Sequence, residues 1–330
     1  MTGFIKKILI FVILAAGLLA GYLSYGGFEP AENISWGVNF SPRYAEALGL
    51  DWRETYLKFL DELKVSRLRL VSYWSDIEKE EGNYDFTELD FLLDQARARN
   101  AKVILVVGRR QPRWPECHVP GWAQDRPLDE QNQAVLNLTK EVIKRYKNYE
   151  NITAWQVENE FFVTWFGDCP APEAEFLKAE INLVRLLDDR PIVLTDSGEL
   201  STWVRTAKYA DILGVSMYRK VRSPWFGYVT YPIPPEYYLR HGNLIKWFSN
   251  FQKQIVTELQ AEPWAEKTLA EDSVEVNYQS LDPAQFRKNI EYARRTGMDE
   301  IYLWGAEWWY FMKEKRGVSE FWDEARKLWN

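Results

Sequence analysis

The sequence has few of the residues on which several common kinds of active site depend. Its 330 residues include 2 histidines and 2 cysteines, which disfavours a histidine-rich metal centre and a Ser-His-Asp triad. No G-x-G-x-x-G follows the first apolar strand and no Walker lysine motif occurs, so a nucleotide-binding sheet is also disfavoured. The net charge of −7 argues against nucleic acid as a partner. We therefore expect neither a cofactor nor a bound metal ion.

Aromatic residues, by contrast, are abundant. The chain contains 16 tryptophans, 18 tyrosines and 17 phenylalanines, and so many tryptophans suggest a lined cleft as well as a filled core. Sugar rings have flat C–H faces that stack on aromatic rings, so carbohydrate is the predicted ligand class. Any single tryptophan packs in a core more often than it binds a ligand. The tryptophans that fall in loops after predicted strands are Trp74, Trp114, Trp225, Trp264 and Trp308.

The first residues form a separate apolar segment. Lys6 and Lys7 precede an apolar run from Ile8 to Ala20, and small residues follow it. This order is typical of a secretory signal or of an uncleaved N-terminal anchor. The 18 residues from 8 to 25 are close to the shortest spanning helix, which needs roughly 17–25 residues. We predict a signal or membrane anchor over 1–27, a linker over 28–33, and a location outside the cytoplasm.

Short apolar segments alternate with amphipathic segments eight times across residues 34–330, and we expect them to form a single domain. Continuous apolar strands that alternate with helices predict a parallel sheet buried on both faces. Eight such units fit a (β/α)₈ TIM barrel better than an open doubly wound sheet. The helix before the seventh strand is predicted over 237–251. The predicted strands are 34–40, 67–71, 103–107, 152–157, 191–195, 212–217, 255–259 and 301–304.

Two of these strands run into carboxylates. The fourth strand is followed by Asn159 and Glu160, and the seventh strand carries Glu258. A solvated strand end is the alternative for one such residue, but catalytic groups of barrels lie at the carboxyl ends of strands. Retaining glycoside hydrolysis needs two carboxylates ~5–5.5 Å apart, one as acid/base and one as nucleophile. Arg69 and Tyr218 are predicted to donate hydrogen bonds to Glu258 and so keep it ionised.

The two carboxylate segments carry a resemblance to a known group of enzymes. The segment from Trp155 to Glu160 resembles the strand-four signature of clan A glycoside hydrolases, and Ile255 to Glu258 is similar to their strand-seven segment. Within the clan, the cellulase-like family 5 is the nearest large family. The resemblance implies a (β/α)₈ barrel in which Glu160 is the acid/base, Glu258 is the nucleophile, and Asn159 orients the substrate.

Further residues at strand ends are candidates for the same site. Arg69, Tyr218 and Trp304 occupy positions similar to the clan's arginine after strand two, tyrosine after strand six and tryptophan after strand eight. Asn39, at the end of strand one, is a further candidate for substrate binding or support. Glu307 is either a substrate contact or a solvated loop acid.

The loop after strand three carries charged residues and one of the cysteines. Arg109 and Arg110 could bind an acidic sugar, but pairing with acids such as Glu116 is the favoured interpretation. Cys117 in this loop and Cys169 in the next could meet, because consecutive loops of a barrel are neighbours. Since export would place them in an oxidising compartment, we predict a disulfide, with two free thiols as the alternative.

The sequence therefore predicts a monomeric retaining β-glycoside hydrolase that acts on a poly- or oligosaccharide by double displacement. A barrel that binds glycans without cleaving them is an alternative, although a binding protein would need neither Glu160 nor Glu258. A transglycosylase would use the same pair and differ in its acceptor. The glycan, its linkage and the choice between endo and exo action stay open.

Overall fold

Eight parallel strands close into a barrel, which confirms the predicted (β/α)₈ fold. The computed structural model describes residues 2–24, 26–28, 30–223, 225–264 and 268–329. Each strand pairs with its sequence neighbours, and β1 pairs with β8 to complete the circle. Strands β1 to β8 are Ser35–Phe40, Arg67–Leu70, Lys102–Val107, Ile152–Val157, Ile192–Asp196, Ile212–Met217, Lys253–Gln260 and Glu300–Trp304.

Helices surround the barrel and connect each strand to the next. Local capping fixes several of their starts: Asp51 accepts a hydrogen bond from the Glu54 backbone N–H at 2.8 Å, and Asp282 caps the helix that begins at Pro283. The connecting helices are Trp52–Asp61, Thr87–Ala98, Leu128–Tyr146, Ala174–Leu187, Val204–Ala207, Glu236–Ile245, Pro283–Arg294 and Glu320–Arg326. Shorter or additional helices are Pro42–Ala47, Trp74–Ile77, Val274–Asn277 and Ala306–Arg316, with a 3₁₀ turn at Gly121–Ala123.

The core has two layers, and this explains the unbroken apolar strands. Inside the barrel, a small cluster contains Ile104, Ala154, Val193, Ile255 and Tyr302. The larger cluster lies outside, between the strands and the helices. Because both faces of each strand are buried, polar groups are favoured only where the strands end. Because all eight strands are parallel, their carboxyl ends meet at one face of the barrel.

The region between β6 and β7 departs most from the prediction. The helix predicted over 237–251 ends at Ile245, and Phe251 is buried although it lies outside any helix. The chain leaves the helix through a turn after Ile245, so Phe251 reaches the core from an irregular segment, while Trp247 and Phe248 are exposed. The long loop after β6 contains an antiparallel hairpin, Lys220–Ser223 with Gly227–Thr230, which the sequence pattern did not indicate.

The N-terminal apolar segment forms a helix that begins before the predicted apolar run. Phe4–Ser24 spans 21 residues with a mean hydropathy of 2.2 and no buried share, so it could cross a membrane by length and composition. The helix contacts the barrel near its end, where Arg240 Nη1 donates to the Tyr22 carbonyl at 2.8 Å. The predicted segments also include Met1, Tyr25, Glu29 and Asn330, which lie outside the described residues.

Candidate active site

A buried arginine connects four strand ends at the carboxyl face. The side chain of Arg69, on β2, is fully buried and forms an ion pair with Glu258 on β7 at 2.8 Å. Four oxygens accept its hydrogen bonds at 2.6–2.8 Å, and three of them belong to neutral amides. Glu258 therefore supplies the anion that balances this buried cation. The four acceptors are Gln156 Oε1, Asn39 Oδ1, Glu258 Oε1 and Asn159 Oδ1.

Both carboxylate oxygens of Glu258 have donors. Arg69 Nη1 donates to Oε1 at 2.8 Å, and the hydroxyl of Tyr218 donates to Oε2 at 3.1 Å. Burial raises the pKa of the Tyr218 hydroxyl well above its ordinary value, and the charges of Glu258 and Glu160 raise it further. Tyr218 thus stays a neutral donor at physiological pH. The arrangement holds Glu258 as an oriented anion.

Glu160 has the opposite electrostatic environment. It is 5% exposed, and in the described part of the chain no lysine or arginine forms an ion pair with it. Burial raises the pKa of Glu160 well above its ordinary value, and the negative charges of Glu258 and Glu116 raise it further. The protonated form of Glu160 is therefore favoured, as a general acid requires. Phe161 and Phe162, which follow it, are partly buried against the core.

The backbone around Glu160 is strained. Glu158 has φ +58° and Glu160 has φ +43°, a region that non-glycine residues rarely adopt and that costs about 1–3 kcal/mol each. The Glu158 carboxylate accepts hydrogen bonds from the backbone N–H groups of Arg109 and Arg110, both at 2.7 Å. A side chain at Gly108 would collide with Glu158, since its Cβ would lie 2.5 Å from Oε1. Glu158 thus holds the strained turn, a role that the sequence did not indicate.

The amide of Asn159 is held by neighbours at both ends. Its Oδ1 accepts hydrogen bonds from Arg69 at 2.6 Å and from Thr195 at 3.1 Å. Its Nδ2 donates to Glu116 at 2.9 Å, which leaves one further N–H on that nitrogen. The Asn159 side chain is therefore fixed in orientation before any ligand binds.

Glu116 belongs to the site although sequence reasoning treated it as a partner of the arginine pair. Its carboxylate forms the predicted ion pair with Arg110, at 3.7 Å, but the pair is buried and does not lie at the surface. Burial raises the pKa of Glu116 to about 8, and the charge of Glu258 adds to this while the Asn159 hydrogen bond and Arg110 oppose it. Glu116 lies in the middle of a loop, where no periodic pattern could reveal its position.

The supporting residues at strands one and eight have different partners. Asn39 Nδ2 donates to the carbonyls of Thr257 at 2.9 Å and Leu303 at 3.1 Å, so it ties β1 to its surroundings. The Trp304 ring lies under the guanidinium of Arg113, 4.0 Å from the ring centroid. Glu307 is fully buried, so the interpretation as a solvated loop acid is wrong.

A disulfide links the two loops beside Glu160. The Cα atoms of Cys117 and Cys169 are 5.3 Å apart, within the range that a disulfide permits. The pair joins the loop after β3 to the loop after β4, which carry Glu116 and Phe166. Arg110, on the loop after β3, donates a hydrogen bond to the Phe166 carbonyl of the loop after β4 at 3.0 Å. The two loops therefore form one continuous wall of the site.

The tryptophans suggested as sugar platforms fall into two groups. Trp74 and Trp308 are fully buried and belong to the core. Trp264 is 41% exposed and packs edge-to-face on Tyr218, at 5.4 Å between ring centroids, so it lies next to the site. Trp114 and Trp225 are exposed, at 73% and 87%. Trp264 thus packs against Tyr218, whose hydroxyl donates a hydrogen bond to Glu258.

The described residues offer acidic side chains to the site without a metal-binding arrangement. No group of three or more histidine, cysteine, aspartate or glutamate side chains among them could hold a metal ion. The cations that balance the buried glutamates are Arg69, Arg110 and Arg113. The protein's own residues can therefore favour the protonated form of one carboxyl group and the ionised form of another in the same site.

Comparison with known proteins identifies one family model that matches part of the chain. Residues 72–166 match the family model of Glycosyl hydrolase family 10, a segment that includes Glu160. A search of curated proteins finds no match. The fold is similar to xylanase 10B from Thermotoga petrophila RKU-1, with TM-score 0.57 and 16% identity over 83% of this chain and 82% of that one.

Other solved structures share the fold at similar levels. Xylanase XynB from Paenibacillus barcinonensis has TM-score 0.55 and 15% identity, with 84% of this chain and 87% of that chain covered. The exo-beta-1,4-mannosidase Op5Man5 from Opitutaceae bacterium strain TAV5 has TM-score 0.56 and 15% identity, with 85% and 54% covered. At such identities the likeness shows the fold alone. The family match and the barrel together support a retaining β-glycoside hydrolase of clan A, and they do not support family 5 specifically.

Proposed function

We propose that Glu160 and Glu258 are the catalytic pair of this hydrolase. The observation that carries the proposal is their opposite environments at one barrel face. Glu258 accepts hydrogen bonds from Arg69 and Tyr218, whereas Glu160 is buried without a cationic partner among the described residues. Two carboxyl groups whose surroundings favour opposite protonation states suit the nucleophile and the acid of a double displacement.

The reaction proceeds in two balanced steps. In the first, a Glu258 oxygen attacks the anomeric carbon while Glu160 gives its proton to the glycosidic oxygen, so that the glycosidic bond breaks and the aglycone leaves. In the second, Glu160 takes a proton from water, the water oxygen attacks the same carbon, and the bond to Glu258 breaks. Two inversions at one carbon give net retention. Asn159, Tyr218 and Arg69 hold the reacting groups in place.

The substrate class follows from the comparisons as a proposal. The similar structures are described as xylanases and as an exo-beta-1,4-mannosidase, so we propose a β-linked polysaccharide or oligosaccharide with a related backbone. Within clan A, the match over residues 72–166 favours kinship with family 10. The finer assignment to family 5 that the resemblance suggested has no such support. We further propose that the enzyme works as a monomer.

The stereochemistry of the product tests the function. The purified full-length protein is incubated with soluble xylan, mannan and β-glucan, and the newly formed chain end is followed by NMR. We expect the β-anomer to appear first, because double displacement retains configuration. Initial formation of the α-anomer would contradict the mechanism. Binding without turnover on every glycan would instead favour a non-catalytic barrel, and transfer to added sugar acceptors would favour a transglycosylase.

We also propose that the helix Phe4–Ser24 anchors the enzyme to a membrane outside the cytoplasm. Its length and hydropathy support the proposal, and its contact with Arg240 would hold the barrel close to the bilayer. We expect the full-length protein to sediment with membranes and to resist extraction by high salt, because burial of apolar side chains does not depend on ionic strength. A soluble mature protein that starts after Ala20 would establish a cleaved signal instead.

A further inference from the structure

We propose that Arg113 closes one end of the cleft, so that the enzyme cleaves at the end of a sugar chain and not within it. The inference rests on the proposed function and concerns the mode of cleavage. The loop after β3 reaches across the barrel face. In the closed order of strands, β3 and β7 lie on opposite sides of the barrel. Arg113 on this loop forms an ion pair with Glu262, directly after β7.

Aromatic rings enclose the guanidinium of Arg113. Its Cζ lies 3.6 Å from the ring centroid of Tyr44, which follows β1, and 4.0 Å from that of Trp304, which ends β8. Both contacts are within the range of a cation–π interaction. Arg113 thus covers a face of Trp304, which the sequence indicated as a candidate for substrate binding. A sugar could stack on that face only if Arg113 moved away.

Ion pairs and hydrogen bonds fix Arg113 in this place. Both Glu262 and Glu307 accept from its guanidinium, with Nη2 at 3.3 Å from Glu262 and 3.4 Å from Glu307. Glu307 is fixed in turn by the Ser41 backbone N–H at 2.7 Å. His118 Nε2 lies 3.1 Å from the Arg113 carbonyl and holds the loop from behind.

The positive charge of Arg113 is therefore balanced by carboxylates of the protein itself. Its side chain is 13% exposed and has two carboxylates as partners, of which the Glu307 side chain is fully buried. A site for an acidic sugar would need a cation that is free to pair with the ligand. Arg113 instead links the loop after β3 to Glu262, which lies after β7 on the opposite side of the barrel face.

Arg113 lines a small cavity together with Arg69, the partner of the proposed nucleophile. A small cavity is lined by Asn39, Arg69, Arg113, Trp304 and Glu307, and Arg69 is the residue that pairs with Glu258. A polysaccharide that continued through this part of the cleft would have to occupy the position of the Arg113 side chain. The sugar chain must consequently end there. Arg113 is a specificity-determining residue in this scheme.

The test compares cleavage patterns of the full-length enzyme and its variants. Soluble xylan, mannan and end-labelled xylohexaose and mannohexaose are digested, and products are separated at the earliest time points. We expect the unmodified enzyme to release short terminal products while the viscosity of the polymer falls slowly. Arg113→Ala should open the cleft and raise the ratio of internal to terminal cleavage on the order of tenfold, the scale of single pocket contacts.

Arg126→Ala provides a matched control. Arg126 also pairs with a carboxylate, Glu81 at 2.7 Å, and lies 5.0 Å over the ring of Trp122, but it is outside the cleft. Its variant should keep the terminal pattern. Arg113→Lys keeps the charge and loses the planar stacking, so it should give an intermediate ratio and serves as the second variant if Arg113→Ala does not fold.

Two results would overturn the proposal. One is random internal cleavage of the polymers by the unmodified enzyme. The other is an unchanged terminal pattern in a folded Arg113→Ala variant. Failure of the proposed function has a different signature, because no glycan would then be cleaved and a 2-deoxy-2-fluoro glycoside would not label the unmodified enzyme.

Discussion

Replacing Glu258 by glutamine will abolish turnover of every glycoside, with a loss on the order of 10⁶-fold, the scale reported for removal of a covalent nucleophile. Without the carboxylate no glycosyl-enzyme bond can form, whatever the leaving group. Glutamine is the better substitution than alanine because its amide oxygen can still accept the hydrogen bond that the fully buried Arg69 donates to Glu258. Alanine would remove the acceptor as well as the charge, and breaking a buried ion pair in this way costs about 3–5 kcal/mol, which would confuse loss of catalysis with loss of folding.

Covalent trapping locates the nucleophile independently of activity. An activated 2-deoxy-2-fluoro β-glycoside should label the unmodified enzyme, and mass spectrometry of its peptides should place the sugar on Glu258. The Glu258→Gln variant should remain unlabelled although it still folds, and a cooperative thermal unfolding transition checks that it does. A label on another carboxylate, such as Glu116 or Glu262, would show that the nucleophile has been assigned to the wrong residue.

Replacing Glu160 by alanine will separate substrates by their leaving groups. Alkyl glycosides and polysaccharides should lose activity by roughly 10²–10⁴-fold, because their leaving oxygen needs a proton. Activated aryl glycosides should still form the glycosyl-enzyme, and azide should restore its breakdown by attacking without general-base help. Equal losses in the Glu160→Ala and Glu258→Gln variants on an activated aryl glycoside would show that Glu160 is not the acid.

The pH dependence provides a second test of the same residue. Because burial raises the pKa of Glu160, its acid form persists to higher pH than that of an ordinary carboxyl group, and activity on unactivated substrates should fall as the pH rises through the raised value. The fall reflects loss of the acid form of Glu160, which donates the proton in the first step. With an activated aryl glycoside in the first step, Glu160→Ala should lack this alkaline decline. A decline that persists there belongs to another group.

The sequence was sufficient for the parts of the molecule that repeat. Most residues of the barrel strands are apolar and buried, so the eight strand–helix units could be recognised from local patterns. Polar residues at strand ends were equally visible, because Asn159, Glu160 and Glu258 interrupt apolar runs. Helix starts were also local where a capping residue such as Asp282 precedes the first turn. These features depend on neighbours in the chain, and local patterns record them.

Loop conformations, by contrast, depended on contacts between residues distant in sequence. Nothing around Arg113 indicates that it reaches Trp304, which lies across the barrel face, or that it pairs with Glu262 and Glu307. The burial of Glu116 against Asn159 is of the same kind. Loop residues have no period, and the free energy that places them comes from partners that only the closed barrel brings together. The sequence by itself therefore determined the barrel and the two carboxylates, whereas the tertiary structure decided which charges surround them and where the cleft ends.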